Sequence, residues 1–147
     1  MNIADSQARL EELLRKLGFD TSVTAEEGEG NVVFNVESPH HALLIGKGGE
    51  TLRSLQQVFN AMQRKAGEDF ATIDVAGYRK EREQKLEAIA QEAADRARST
   101  ASKVHLKPMN AYERRQVHMV LADMPDIVTT SEGEEPHRVI VVQLRET

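Results

Sequence analysis

Two hydrophobic periods alternate along this chain. Over residues 3–17, Ile3, Leu10, Leu13, Leu14 and Leu17 recur at mostly helical spacing, and Gly18 closes the run. "TSVTAEEGEGNVVFNVES" (21–38) changes to a period of two. Val23 and Ala25 alternate on one arm and Val32, Phe34 and Val36 on the other, with "EGEG" between them, so a hairpin is predicted. "PHHALLI" fits one or two helical turns opened by Pro39, with Ser38 as cap. After "GKGG" (46–49), Leu52, Leu55, Val58, Phe59 and Met62 form a helical stripe that Gly67 ends, and "FATIDVAG" is a short strand carrying Phe70, Ile73 and Val75. The order helix, strand, strand, helix, helix, strand closes as a three-stranded sheet covered on one face by helices.

The second half starts with a long helix from Tyr78 to about Ser102, whose narrow apolar face is Leu86, Ile89, Ala90, Ala93 and Ala97. "KVHLKP" is a short strand stopped by Pro108. "NAYERRQVHMVLADM" is a helix with Asn110 as cap and Glu113 three residues on, the spacing of a capping box. "DIVTTSEGEEPHRVIVVQL" is a second hairpin around an acidic turn. No fixed-period repeat interrupts this pattern. The boundary falls near Gly77, so the expected organisation is two small modules, 1–77 and 78–147, in the α+β class and joined by the long helix.

Composition narrows the chemistry. The 147 residues are 39% hydrophobic and 29% charged, enough to fold but with little core to spare. The absence of cysteine excludes disulfides, thiolate metal sites and cysteine nucleophiles. No apolar run is long enough to span a bilayer, and the acidic, amphipathic start "MNIADSQARLEELL" does not resemble a signal peptide. A soluble intracellular protein without membrane insertion is expected. The net charge of -5 is unevenly spread, with acidic ends around a middle that carries most of the lysine and arginine. A basic centre of that kind suits an anionic ligand held at a defined place.

The glycine turn is the first candidate site. "GKGG" opens the helix that follows it, where free N–H groups and the helix dipole favour an anion. Gly46, Gly48 and Gly49 would let a phosphate approach the backbone, and Lys47 adds a charge. Glu50 in the first helical turn opposes this, and the alternative reading is a tight turn that merely needs positive φ. G-x-x-x-x-G-K-[ST] is absent, and G-x-G-x-x-G fails at Thr51. The second candidate is Arg114 with His118, four residues apart and so on one helix face. With Val117, Val120, Leu121 and Met124 as the buried stripe, the pair falls along its edge, and Arg115 points well away. Arg114 offers a bidentate phosphate donor and His118 a ring or N–H donor. The alternative is an arginine lying along the core beside a satisfied boundary histidine.

I-G-x-x-G between two helices in this element order (Ile45, Gly46, Lys47, Gly48, Gly49) resembles the KH domain in its bacterial, type II arrangement. The resemblance implies a groove whose glycine loop clamps the backbone of about four nucleotides, with aliphatic side chains beside it for the bases. "LKPMNAYERRQVH" followed by "TTSEGEEPHRVIVV" resembles the R-x-x-x-H domain, a small single-stranded nucleic-acid binder. The two in tandem, linked by "DVAGYRKEREQKLEAIAQEAA", resemble bacterial proteins of the Jag (SpoIIIJ-associated) family. Many members begin with an additional N-terminal domain and linker, which this sequence is expected to lack.

The expected function is therefore non-catalytic binding of single-stranded RNA, with single-stranded DNA as a weaker candidate. Gly46, Lys47, Gly48 and Gly49 form the clamp, Arg114 and His118 a second contact, and Arg115, Arg79, Lys80 and Arg82 supporting charge. The resemblance also implies a bacterial cytoplasmic setting, a role in RNA regulation linked to cell envelope growth, and a single-KH protein as partner. No cofactor is expected. His40 and His41 are adjacent and so point apart on a helix, His105, His118 and His137 are dispersed, and no H-E-x-x-H spacing occurs, so no metal site is expected; aromatics at 4% disfavour a stacking platform. Two rival classes stay open: an adaptor whose KH fold no longer binds RNA, and a nucleotide-phosphate enzyme, which no metal-binding carboxylate pair supports.

Overall fold

Leu10 and Leu14, one helical turn apart, are fully buried and orient helix α1 (Ile3–Lys16) on the first core. The structure, a computed structural model, describes residues 1–146; Thr147, the end of the second expected module, lies outside the described residues. Asn2 caps α1 by accepting from the Asp5 amide. Strands β1 (Ser22–Gly28) and β2 (Asn31–Glu37) pair antiparallel, with Val23 opposite Val36 and Ala25 opposite Phe34. Helices α2 (His41–Ile45) and α3 (Glu50–Lys65), with a tight 3-10 turn between them, carry the chain to β3 (Thr72–Val75). A crossover of that length lets β3 pair parallel to β2, giving the order β1-β2-β3. Phe34 and Phe59 meet edge-on in this core, 5.9 Å between ring centroids.

Two local expectations shift. Helix α2 begins at His41, not at Pro39, because the His41 amide closes a turn on the Ser38 carbonyl and the Ser38 hydroxyl accepts from His40. Phe70 lies outside β3 and is half exposed, with the Arg64 guanidinium 5.3 Å from its ring centroid. Strand parity explains this. Ile73 and Val75 face the core, so the matching position upstream is Ala71, and Phe70 has the opposite parity.

The chain divides into two compact units, Met1–Arg79 and the remainder from Lys80. The second is built on helix α4 (Tyr78–Thr100), which buries Leu86, Ala90, Ala93, Ala94 and Ala97. Strands β4 (Val104–His105), β5 (Ile127–Glu132) and β6 (Val139–Leu144) form an antiparallel sheet in the order β4-β6-β5, and helix α5 is Ala111–Ala122. The apolar run Val139–Val142 takes the central strand, and Ile140 and Val142 pack with Val117 and Leu121 of α5. No helix among the described residues is long and apolar enough to cross a membrane.

One buried polar side chain ties the first unit together. Gln63 is completely buried, donates to the Ser6 hydroxyl at 2.8 Å and the Asp69 carbonyl at 3.0 Å, and accepts from Arg9. Truncation would strand these partners away from water, and an unsatisfied buried polar group costs roughly 1–3 kcal/mol. Gln63→Ala is expected to lower unfolding stability by about 2 kcal/mol in urea titration, with the native circular dichroism spectrum retained.

Candidate nucleic-acid interface

The three glycines of the turn have different physical reasons. Gly46 has φ 74 and ψ 177, and a Cβ there would stand 2.3 Å from the Thr51 hydroxyl and 2.9 Å from the Thr51 backbone nitrogen. Gly49 is buried at φ 78, and a Cβ there would stand 2.9 Å from the ring of Tyr78. Gly48 is exposed at φ 60 with nothing within 4 Å of an added Cβ. Close packing therefore dictates the outer two, and backbone conformation alone the middle one. Arg53 of α3 donates to the Gly48 carbonyl at 2.8 Å, which turns that acceptor onto the protein. The open side of the turn is left to Gly48 and the exposed Lys47. Glu50 is exposed in the first turn of α3.

Helix α5 departs from expectation at its start. Asn110 accepts from the Glu113 amide at 2.9 Å, so the cap forms. The reciprocal half of the capping box does not. The buried Glu113 carboxylate instead receives Arg82 through Nε at 2.8 Å and Nη2 at 3.1 Å. Arg114 is only 7% exposed, not at the margin of the stripe. Its Nη1 donates to the Met109 carbonyl and its Nη2 forms a close ion pair with Glu135 in the β5–β6 turn. The buried arc is thus Glu113, Arg114, Val117 and Leu121, and its polar members are admitted because each has partners.

His118 lies beside Arg114 with both ring nitrogens engaged: Nδ1 with the Thr129 hydroxyl at 2.7 Å and Nε2 with the Ser131 hydroxyl at 3.2 Å. Thr129 and Ser131 alternate on β5 and so face the same way. Burial, and then the Arg114 charge, hold the imidazole below its ordinary pKa. An open depression of about 440 Å³ adjoins this pair, lined among others by Arg114, Arg115, His118, Ser131 and Arg138. Arg115 is exposed on the same depression, contrary to the expectation that it points well away. Helix positions 114 and 115 straddle one opening, with the first buried and the second at its rim.

The supporting cations are not equivalent. Arg79 donates through Nε to the Ile73 carbonyl at 2.9 Å and through Nη2 to Gln56 at 3.3 Å, which ties it into the first unit. Arg82 forms the fork with Glu113. Lys80 is exposed. Sequence reasoning missed Arg53, Tyr78, Arg138 and Glu135 as residues that shape the two places. Arg53 was legible as a cation in the first turn of the helix after the glycines. The other three depend on contacts that sequence spacing does not reveal.

Family models match both halves: a KhpA/KhpB KH domain over residues 7–75 and an R-x-x-x-H domain over residues 84–144. The RNA-binding protein KhpB of Bacillus subtilis is 30% identical over 144 residues, 95% of this chain and 69% of that protein. The chain belongs to the KhpB (Jag) family. KhpB of Clostridium symbiosum is 36% identical over 131 residues, covering 88% of this chain and 59% of that protein. KhpB of Lactiplantibacillus plantarum is 31% identical over 135 residues, 90% of this chain and 42% of its own length. The chain thus spans from 42% to 69% of these KhpB relatives.

Substitution should separate the roles of the glycines. Gly48→Ala is expected to cost about 1 kcal/mol, the strain of a left-handed residue. Gly46→Ala should cost about 3 kcal/mol, because it adds a clash with Thr51 to that strain. Chemical denaturation of the two variants reads the difference. For His118, the folded pKa lies below the unfolded one, so the unfolded chain binds more protons between them. Its contribution is complete above the unfolded value of about 6.5 and is lost as pH falls towards the folded one. The stability advantage of wild type over His118→Asn, measured in urea, should be smaller at about pH 5 than at about pH 7.5.

Proposed function

We propose that the chain binds single-stranded RNA without catalysing a reaction. The glycine turn receives the sugar-phosphate backbone in the first unit, and the depression beside Arg114 and His118 receives a second stretch of strand in the second. The observation that carries this reading is the open face of the turn. Gly48 has empty space where a side chain would stand, its carbonyl is engaged by Arg53, and Lys47 is exposed beside it. A phosphate approaching there meets backbone and positive charge with one acceptor already occupied. The names of the relatives support RNA over DNA. The reading extends, on family resemblance, to the bacterial cytoplasm, to RNA regulation linked to cell envelope growth, and to a single-KH protein as partner.

Within this reading, Arg114 positions the second site more than it contacts RNA, since its Nη1 and Nη2 are both engaged. Lys47, Lys80 and Arg115 are the candidate cations left exposed. Two observations favour the adaptor reading instead: Glu135 already occupies Arg114, and Glu50 stands in the first turn of α3.

Fluorescence anisotropy with labelled single-stranded RNA, alongside circular dichroism, separates the two. Gly48→Asp should fold normally and lose at least about tenfold in affinity, because a carboxylate takes the phosphate's place, and about 1.4 kcal/mol is tenfold. Arg115→Ala should bind more weakly, with a log-log salt slope shallower by about 0.7. Unchanged affinity in a folded Gly48→Asp, or no RNA binding by the wild type, would favour the adaptor.

A further inference from the structure

Met119 is a large apolar side chain left 57% exposed on α5. It does not stand alone. Ala111 and Ala122 line the same depression of about 440 Å³, so part of its wall is apolar. The polar part is one-sided in charge. Arg114, Arg115 and Arg138 all line it, and among the described residues no carboxylate does, in a chain whose net charge is -5. Arg114 is turned to Glu135 and Met109, which leaves Arg115 and Arg138 as the guanidinium groups at the opening. Arg138 is steadied by donating to the Gly133 carbonyl at 2.9 Å, within its own hairpin turn.

An apolar wall beside guanidinium groups calls for a ligand that is flat and poorly hydrated on its face and anionic at its flanks. A simple phosphate would leave the methionine and alanines unused. A lipid-like or purely apolar ligand would leave the guanidinium groups without anions. A nucleobase with phosphates on either side satisfies both. Methionine suits such a face because its thioether is polarisable and its unbranched chain adapts to shape. Ser131 supplies a hydroxyl that lines the depression while bonded to His118. A hydroxyl can donate or accept, so it tolerates different base edges.

We propose that this depression seats one nucleobase of the bound strand. Met119 lies against the base, Ser131 at its edge, and Arg115 and Arg138 take the adjoining phosphates. The inference rests on the single-stranded RNA reading above and deepens it. It makes the second unit a reader of bases as well as of backbone, with little preference among base types.

The test uses the whole chain labelled with 13C at its methionine methyl groups. There are five methionines, so Met119 is assigned by its loss in Met119→Ala. Three probes are titrated: a single-stranded adenosine oligonucleotide, an abasic ribose-phosphate strand of equal length, and polyglutamate. Anisotropy records binding independently. The Met119 methyl should shift upfield, by ring current, with the adenosine strand and not with the abasic one. Met119→Ala should weaken adenosine-strand binding about fivefold without changing the salt slope, since stacking on a side chain is worth roughly 1–3 kcal/mol per base for aromatics and less for a thioether. Arg138→Gln should instead make the salt slope shallower by about 0.7. If the strand binds but the Met119 methyl stays still, or moves equally with the abasic strand, the base seat is wrong and the RNA reading stands. If no strand binds, both fail. A Met119 shift with polyglutamate in the absence of RNA binding makes the depression a peptide-docking surface and overturns the proposal.

Discussion

Glu113 and Arg114 put two opposite charges side by side on a buried arc of one helix, and neither can stay there unpaired. The effective cost of burying an ion is several kcal/mol, so each must find a fixed partner of its own. Neighbours in a helix point about 100° apart, which sends the two groups to different elements. Glu113 takes the fork of Arg82 on α4, and Arg114 takes the Met109 carbonyl ahead of α5 and Glu135 beyond β5. These links tie α4, α5 and the β5–β6 turn to one another in the second unit. His118 and the depression beside it owe their geometry to that arrangement. A phosphate drawn to Arg114 would have to displace a carboxylate that is itself more than half exposed, which makes Glu135 a weak stand-in for an anionic ligand.

The first unit meets a different constraint with less charge. Its turn must pass close to Thr51 on one side and under Tyr78 on the other, which leaves no volume for a Cβ at Gly46 or Gly49. Edge strand β3 is closed by a side chain: Gln56 donates to the Ala71 carbonyl and accepts from the Ile73 amide, both at 2.6 Å. An amide group used this way copies the pairing of a neighbouring strand and protects the edge. Arg79 bonds to the same Gln56 and to the Ile73 carbonyl, so a cation that reads as ligand-binding from sequence is spent on the sheet. Its neighbour Lys80 remains exposed.

Periodicity determined the elements of this chain because helices and strands differ in the spacing of the residues they bury, and that spacing is local. Most of the stripes on α1, α3 and α4, the two hairpins, the capping role of Asn110 and the glycine turn were legible in the sequence, but Leu17 and Val58, apolar at stripe spacing, stand exposed, and α3 buries the polar Gln63 instead. Residue type also determined that a positive-φ turn stands between two helices, since only glycine adopts such conformations freely. The partners of the buried charges were decided by the tertiary structure alone. Whether Arg114 lies at the edge of a stripe or within it depends on Met109 and Glu135 reaching it. Whether Arg115 shares an opening with Arg114 depends on the hairpin that brings Ser131 and Arg138 across from α5. The pairing of Arg82 with Glu113 spans 31 residues, and helical spacing carries no information at that range. Hydrophobic burial follows from a residue's own chemistry and its near neighbours, whereas a buried charge is permitted only by groups that folding brings from elsewhere.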